Sequence, residues 1–246
     1  FMSVDDKCQI LELTDDFSYS NHVFTYYNES NKMQKAEIHS GTAIIYNGSA
    51  IKDPDFDMSL LAPADGKTVL IDNNNDGIYD IALVHSYFNV VVDSVDANNY
   101  TVYDAYLKER DLYLMKDGAV IDYKILNESG KEIKIGSLKQ YDVLSVEQGA
   151  YMTYIYKSSA TASGTIEMVQ GENEEISLNG SLYKTSGSFR TSKGELPKAG
   201  DKVTLYFDAY GKIAYSKAIT GGEINVGFLV NIAVKKGIEG EPQAEI

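Results

Sequence analysis

Lys67-Thr68-Val69-Leu70-Ile71-Asp72-Asn73-Asn74-Asn75-Asp76-Gly77-Ile78-Tyr79-Asp80-Ile81-Ala82-Leu83-Val84 reads as an apolar, β-branched run, a polar loop carrying one glycine, and a second apolar run. Runs of this length and composition are strands, and the Asn, Asp and Gly between them are turn formers. The stretch therefore predicts a strand-loop-strand hairpin. The same grammar recurs in Thr42-Ala43-Ile44-Ile45-Tyr46, Tyr100-Thr101-Val102-Tyr103 and Val203-Thr204-Leu205-Tyr206-Phe207. A helical period is sustained nowhere, and only Asp104 to Leu114 is ambiguous between helix and strand. The fold class expected is all-β.

The turns repeat. A strand runs into Asn-Gly or Asp-Gly at Ile44-Ile45-Tyr46-Asn47-Gly48, at Tyr113-Leu114-Met115-Lys116-Asp117-Gly118 and at Ile176-Ser177-Leu178-Asn179-Gly180. Such pairs favour the tight hairpin turn that needs positive φ at both central residues. After each comes a short loop feeding an apolar strand, at Asp65 to Asp72, Lys139 to Val146 and Gly200 to Asp208. The turn glycines stand at 48, 118 and 180, so each unit spans about 60 to 70 residues, near the lower limit for a domain that folds alone. The organisation expected is tandem small β-barrel or β-sandwich modules joined by short linkers: 1–90 with the Asp-rich loop, 91–160, 161–222, and 223–246 as the start of a further repeat or a tail. Asn225-Val226-Gly227-Phe228-Leu229-Val230-Asn231-Ile232 reads as the opening strand of that further unit, so a fragment of a longer array is expected.

The Asp-rich loop carries the one motif with chemistry in it. Side-chain oxygens recur at Asp72, Asn74, Asp76 and Asp80, with Gly77 after the third. A hard cation takes six to eight oxygens, and this spacing offers side chains at positions one, three, five and nine and the main-chain carbonyl of Ile78 at seven. Position twelve is Leu83, which has no carboxylate, so the pattern fits a strand-loop-strand hairpin and not a helix-loop-helix hand. Asp72, Asn74, Asp76, Ile78 and Asp80 are thus the expected ligands of one calcium ion. The plain alternative is a polar hairpin loop whose charges face water. The corresponding segments Glu147-Gln148-Gly149-Ala150 and Asp208-Ala209-Tyr210-Gly211 read as ordinary turns.

Composition narrows the function. With 22 Lys and Arg against 36 Asp and Glu, the net charge is −14, and no basic stripe offers itself to nucleic acid or an anionic membrane. The longest apolar runs are strand length, so no membrane insertion is expected. The opening Phe1-Met2-Ser3-Val4-Asp5-Asp6 is polar and does not read as a secretory leader. Cys8 is the single cysteine, which excludes an intrachain disulfide. His22, His39 and His85 are scattered, and neither His-Glu-x-x-His, Gly-x-Ser-x-Gly nor a phosphate loop occurs. No catalytic residue is expected. The 19 tyrosines, in a chain without tryptophan, are expected on sheet faces with their hydroxyls at the rim, although such rings also stack on sugars.

Ala43 to Gly48, Val69 to Asp80 and Leu205-Tyr206-Phe207-Asp208-Ala209-Tyr210-Gly211-Lys212-Ile213-Ala214 together resemble the β-repeat region of clostridial-type cell-surface proteins that carry surface-layer homology anchoring modules. The similarity runs from about Ala36 to Ala233 and rests on turn and strand patterns; the anchoring modules are not visible. The resemblance implies an exported, cell-wall or cell-surface role, with repeats acting as spacers, lattice elements or stalks. The function expected is a structural or adhesive module associated with an S-layer, stiffened by calcium, with neighbouring modules of the same or identical chains, and cell-wall polysaccharide, as its partners. A phage or virion tail β-protein and a glycan-binding or glycan-processing module remain open.

Overall fold

A computed structural model describes residues 8–14, 16–106, 110–171, 174–191 and 196–219, together with the backbone of 233–236 and 242–245. The further strand expected at 225–232 lies outside the described residues, as do residues 107–109 of the ambiguous segment. What is described of that segment includes the end of one strand at Asp104 and another at Leu112–Tyr113. The chain is all-β, built of several sheets.

The first sheet holds β1 (Gln9–Leu13), β2 (Ser18–Ser20), β3 (Val23–Tyr27), β4 (Met33–Tyr46), β5 (Ser49–Ala50), β6 (Gly66–Asp72) and β7 (Ile78–Ser86). Its order is β1-β6-β7-β4-β3-β2, with β5 paired to β4. Only β4 and β7 run parallel, a pairing that requires a crossover, which β5, a 3-10 turn at Met58–Leu61 and β6 supply. Alternate residues of β6, Thr68, Leu70 and Asp72, are buried, and the core closes around Leu13, Phe24, Leu61, Leu70, Ala82 and Val84.

The second sheet comprises β8 (Phe88–Asp96), β9 (Thr101–Asp104) and β10 (Leu112–Tyr113), then β13 (Tyr123–Leu126), β14 (Glu132–Ile133), β15 (Val143–Gln148) and β16 (Thr153–Ser158); between them β11 (Met115–Lys116) and β12 (Ala119–Val120) pair only with each other. Here β13 and β16 are the parallel pair. Its core includes Val90, Leu114, Ile125, Leu144, Val146 and Ile155. The third sheet holds β17 (Thr161–Gln170), β18 (Glu175–Leu178), β19 (Ser181–Lys184), β20 (Lys202–Phe207) and β21 (Ile213–Ala218), with a one-turn helix α1 (Gly187–Arg190) over a core of Ile166, Ile176, Leu178, Phe189, Leu205 and Ile213. A backbone hairpin, β22 (Ala233–Lys236) and β23 (Pro242–Glu245), follows.

The three sheets repeat a local sequence of events. Asn47-Gly48 joins β4 to β5, Asp117-Gly118 joins β11 to β12, and Asn179-Gly180 joins β18 to β19, with φ between 43° and 80° at all six residues. These are the positive-φ turns whose twist matches a hairpin. A short helical turn then buries one large apolar side chain, Leu61, Ile135 or Phe189, before the strands β6, β15 and β20.

Tyrosines cement the second sheet to the third. Val91 and Val143 meet Ala214, surrounded by Tyr106, Tyr141, Tyr206 and Tyr215. Tyr141 and Tyr215 stack at 5.8 Å, and the Lys217 ammonium lies 4.3 Å from the Tyr141 ring centre.

Candidate functional site

The loop between β6 and β7 is ordered by its own side chains. Asp72, only 1% exposed, accepts from the main-chain N–H groups of Asn75 (2.7 Å) and Asn74 (3.2 Å) on Oδ1 and from Gly77 (2.9 Å) on Oδ2. Asn74 Oδ1 accepts from Asp76 N, and Asp76 Oδ1 from Ile78 N, so each alternate side chain folds back on the main chain two residues ahead. Asp80 Oδ2 accepts from Asn73 N at 2.9 Å, while its Oδ1 lies 3.9 Å from His39 Nε2. The Gln9 side-chain amide donates to Asn75 Oδ1 and ties β1 to the loop. Burial pushes the Asp72 carboxyl up, but N–H groups of Gly77, Asn75, Asn74 and Asp76 outweigh it and hold it below the usual carboxylate range.

Of the five expected ligands, Asn74 and Asp76 lie in the loop, Asp72 ends β6 beneath it, and Ile78 and Asp80 stand in the first residues of β7. Among the described residues no three His, Cys, Asp or Glu groups stand together as a ready set of metal ligands. The donors are nonetheless of the kind calcium takes: oxygens only, one of them a carboxylate held ionised. Oδ1 of Asp72 accepts two N–H groups, whereas Oδ2 accepts one and keeps a second lone pair.

A second constellation lies where the three sheets meet, and it is polar and buried. Asp65, before β6, accepts from the N–H of Gly187 (2.9 Å) and of Ser188 (3.3 Å) at the start of α1, and Lys212 Nζ lies 3.8 Å from it. Asp208, 2% exposed, accepts from the Tyr87 hydroxyl and the Asn89 amide, each at 3.1 Å. Asn89 in turn accepts from Ser145 Oγ at 2.9 Å, and Ser145 Oγ accepts from Ala209 N. One residue of the first sheet's lead-in loop, the connector Tyr87, two strands of the second sheet and a turn of the third are thereby held in one network. Burial pushes Asp208 up, partly offset by N–H bonds from Lys212, Asn89 and Tyr210 and by Tyr87. Burial, with Asp208 and Asp65 beside it, pushes the Tyr87 phenol far up, so it stays a donor.

Turn residues add to the joint. Asn47 donates from Nδ2 to the carbonyls of Ser86 (2.9 Å) and Gln148 (3.0 Å), linking the first sheet to the second. Arg110 donates to the Ser188 carbonyl and to Thr191 Oγ1, linking the second to the third.

The sequence predicts a turn at 208–211 and tyrosine hydroxyls at sheet rims; the turn forms, closed by Gly211 N on the Asp208 carbonyl, but it is pressed between sheets, so its carboxylate is an internal acceptor and the buried Tyr87 hydroxyl that it binds departs from the rim pattern. A signal existed. Asn28-Glu29-Ser30-Asn31-Lys32, Asn127-Glu128-Ser129-Gly130-Lys131 and Asp208-Ala209-Tyr210-Gly211-Lys212 are one turn: in each the first side chain accepts from the N–H groups two and four residues on. Two of the three begin with neutral Asn on the surface, and the one with Asp is buried.

No protein-family model matches the chain, and a search of curated proteins finds none similar to it.

Proposed function

We propose that this chain is a structural or adhesive part of a bacterial cell-surface protein, an S-layer-associated spacer whose first sheet is stiffened by one calcium ion. The observation that carries the reading is the buried joint of Asp65, Tyr87, Asn89, Ser145 and Asp208, which ties three small sheets together with side-chain hydrogen bonds. Flexibly linked modules do not need such a joint, whereas a load-bearing or presenting element gains stiffness from it. Asp72, Asn74, Asp76, Asp80 and the Ile78 carbonyl would hold the ion, which supplies charge neutralisation and cross-links the two strand ends.

Fractionation of the cells that make the protein, probed with an antibody to this chain, tests the location. The wall or surface fraction should hold the antigen, accessible to protease on intact cells. Antigen confined to the cell interior would overturn the reading.

A further inference from the structure

A cleft of about 610 Å³ opens at the same three-sheet joint, within the size range of small-molecule sites. Its wall combines Tyr154 and Tyr156 of β16, Tyr210 from the turn before β21, Glu147 of β15, and Glu12 and Lys67 from the first sheet. The strand that carries Tyr154 and Tyr156 is paired on both edges, by β15 and β13, so it offers side chains and no main-chain edge. Ile155 between them points into the core, which leaves both tyrosines on the cleft side.

Tyr210 is held in place. One face stacks on Tyr87 with ring centres 4.4 Å apart, and its hydroxyl donates to Glu147 Oε1 at 2.7 Å, yet 51% of the residue is exposed. Tyr156 stands edge-on to it at 6.3 Å, and Tyr154 is 38% exposed. A fixed aromatic face beside carboxylates and hydroxyls suits a ring with an apolar face and polar edges, and a rigid wall spares the ordering cost of binding. The charges at the rim are matched: Lys67 pairs with Glu12 at 3.2 Å, and Lys212 with Asp65 at 3.8 Å. Among the described residues lining the cleft, both lysines are thus engaged by carboxylates and not left over for a phosphate or carboxylate ligand, and the net charge of −14 opposes anions further.

We infer that this cleft is a binding site for a neutral pyranose oligosaccharide, with a sugar ring against Tyr210 and Tyr154 and its hydroxyls bonded to Glu147 and Glu12. The inference goes beyond the surface reading and holds wherever the chain resides. Because the wall is assembled from all three sheets, saccharide binding should also stabilise the joint.

Titration of the full chain with cellotetraose and with chitotetraose, followed by calorimetry and by NMR of the tyrosine rings, tests it. At least one saccharide should bind with a dissociation constant of about 10⁻⁴ to 10⁻³ M and raise the melting temperature. Tyr154→Ala, which lies outside the buried joint, and Tyr210→Ala should each weaken binding about fivefold to tenfold. Tyr113→Ala, on an exposed tyrosine that is not part of the cleft wall, should leave it unchanged. Absence of binding by both saccharides at about 10 mM, or binding that survives Tyr154→Ala with the fold intact, would overturn the site. So would tight binding of an uncharged peptide in their place.

Discussion

Asn127 and Asp208 start the same turn, one at the surface and the other beneath two sheets, and the difference fixes what each residue does. In Asp208→Asn the amide oxygen can still accept from Tyr210 N and Lys212 N, as Asn127 does from its own turn, so the turn should survive. In Asp208→Ala the donors of Tyr210, Lys212, Tyr87 and Asn89 lose their acceptor, and urea unfolding at pH 7 should show a loss of about 3 kcal/mol. The pH dependence has a definite sign. Asp208 is raised in the folded state, so the stability linked to its proton is complete below the unfolded pKa and is lost as pH rises through the folded one. Asp208→Asn should remove that loss. Glu128 acts oppositely: bonds from Ser159 and Lys157 lower it to about 2 from 4.5, so its contribution is complete above 4.5 and disappears as pH falls towards 2. Its side chain is half exposed, and solvent screening limits Glu128→Gln to about 0.5 to 1 kcal/mol, seen as an earlier onset of acid unfolding.

Hairpins are the elements in which this sequence speaks most clearly. Asn47-Gly48, Asp117-Gly118 and Asn179-Gly180 occupy the turns that their chemistry demands, and the runs around 42–46, 67–71, 100–103 and 203–207 are strands. The alternation of buried Thr68, Leu70 and Asp72 is equally local in origin. Strand order was not legible. The parallel pairing of β4 with β7 and of β13 with β16 depends on contacts remote in sequence, and nothing local in either strand announces its partner. The hairpin across 72–80 was legible from its Asn, Asp and Gly between two apolar runs, whereas the cleft and the joint were not, because Tyr87, Glu147 and Tyr210 come together only once the sheets have packed. Gly66, at the head of β6, shows how tightly that element is set. Its φ is 138°, and a Cβ there would fall 1.9 Å from the His85 carbonyl oxygen. Gly66→Ala should cost about 2 to 4 kcal/mol in chemical denaturation. In the loop itself, calcium at ten times a dissociation constant near 10⁻³ M should add about 1.4 kcal/mol, a rise of roughly 3 to 5 °C in melting temperature that EDTA removes. Asp72→Ala should abolish that calcium response; an unchanged melting curve with and without calcium in the unsubstituted chain would remove the ion from the account.

At the scale of the molecule, three cores of modest size are joined by a fourth cluster and by a polar joint. The tyrosine cluster around Val91, Val143 and Ala214 binds the second sheet to the third, and Asp65 binds the first to α1 of the third. A sheet of this size is marginal alone, so its stability depends on its neighbours and unfolding should be shared among them. Disrupting Asp65 is the sharpest perturbation, since Asp65→Ala leaves the N–H groups of Gly187 and Ser188 without their acceptor between two sheets. The measurement that tests the account most directly is differential scanning calorimetry of the full chain. One endotherm, with calorimetric and van't Hoff enthalpies equal, is the expected result, and Asp65→Ala should lower its midpoint or split it. Separate endotherms in the unsubstituted chain would show that the sheets unfold independently, and would contradict the single stiff unit on which the proposed role rests.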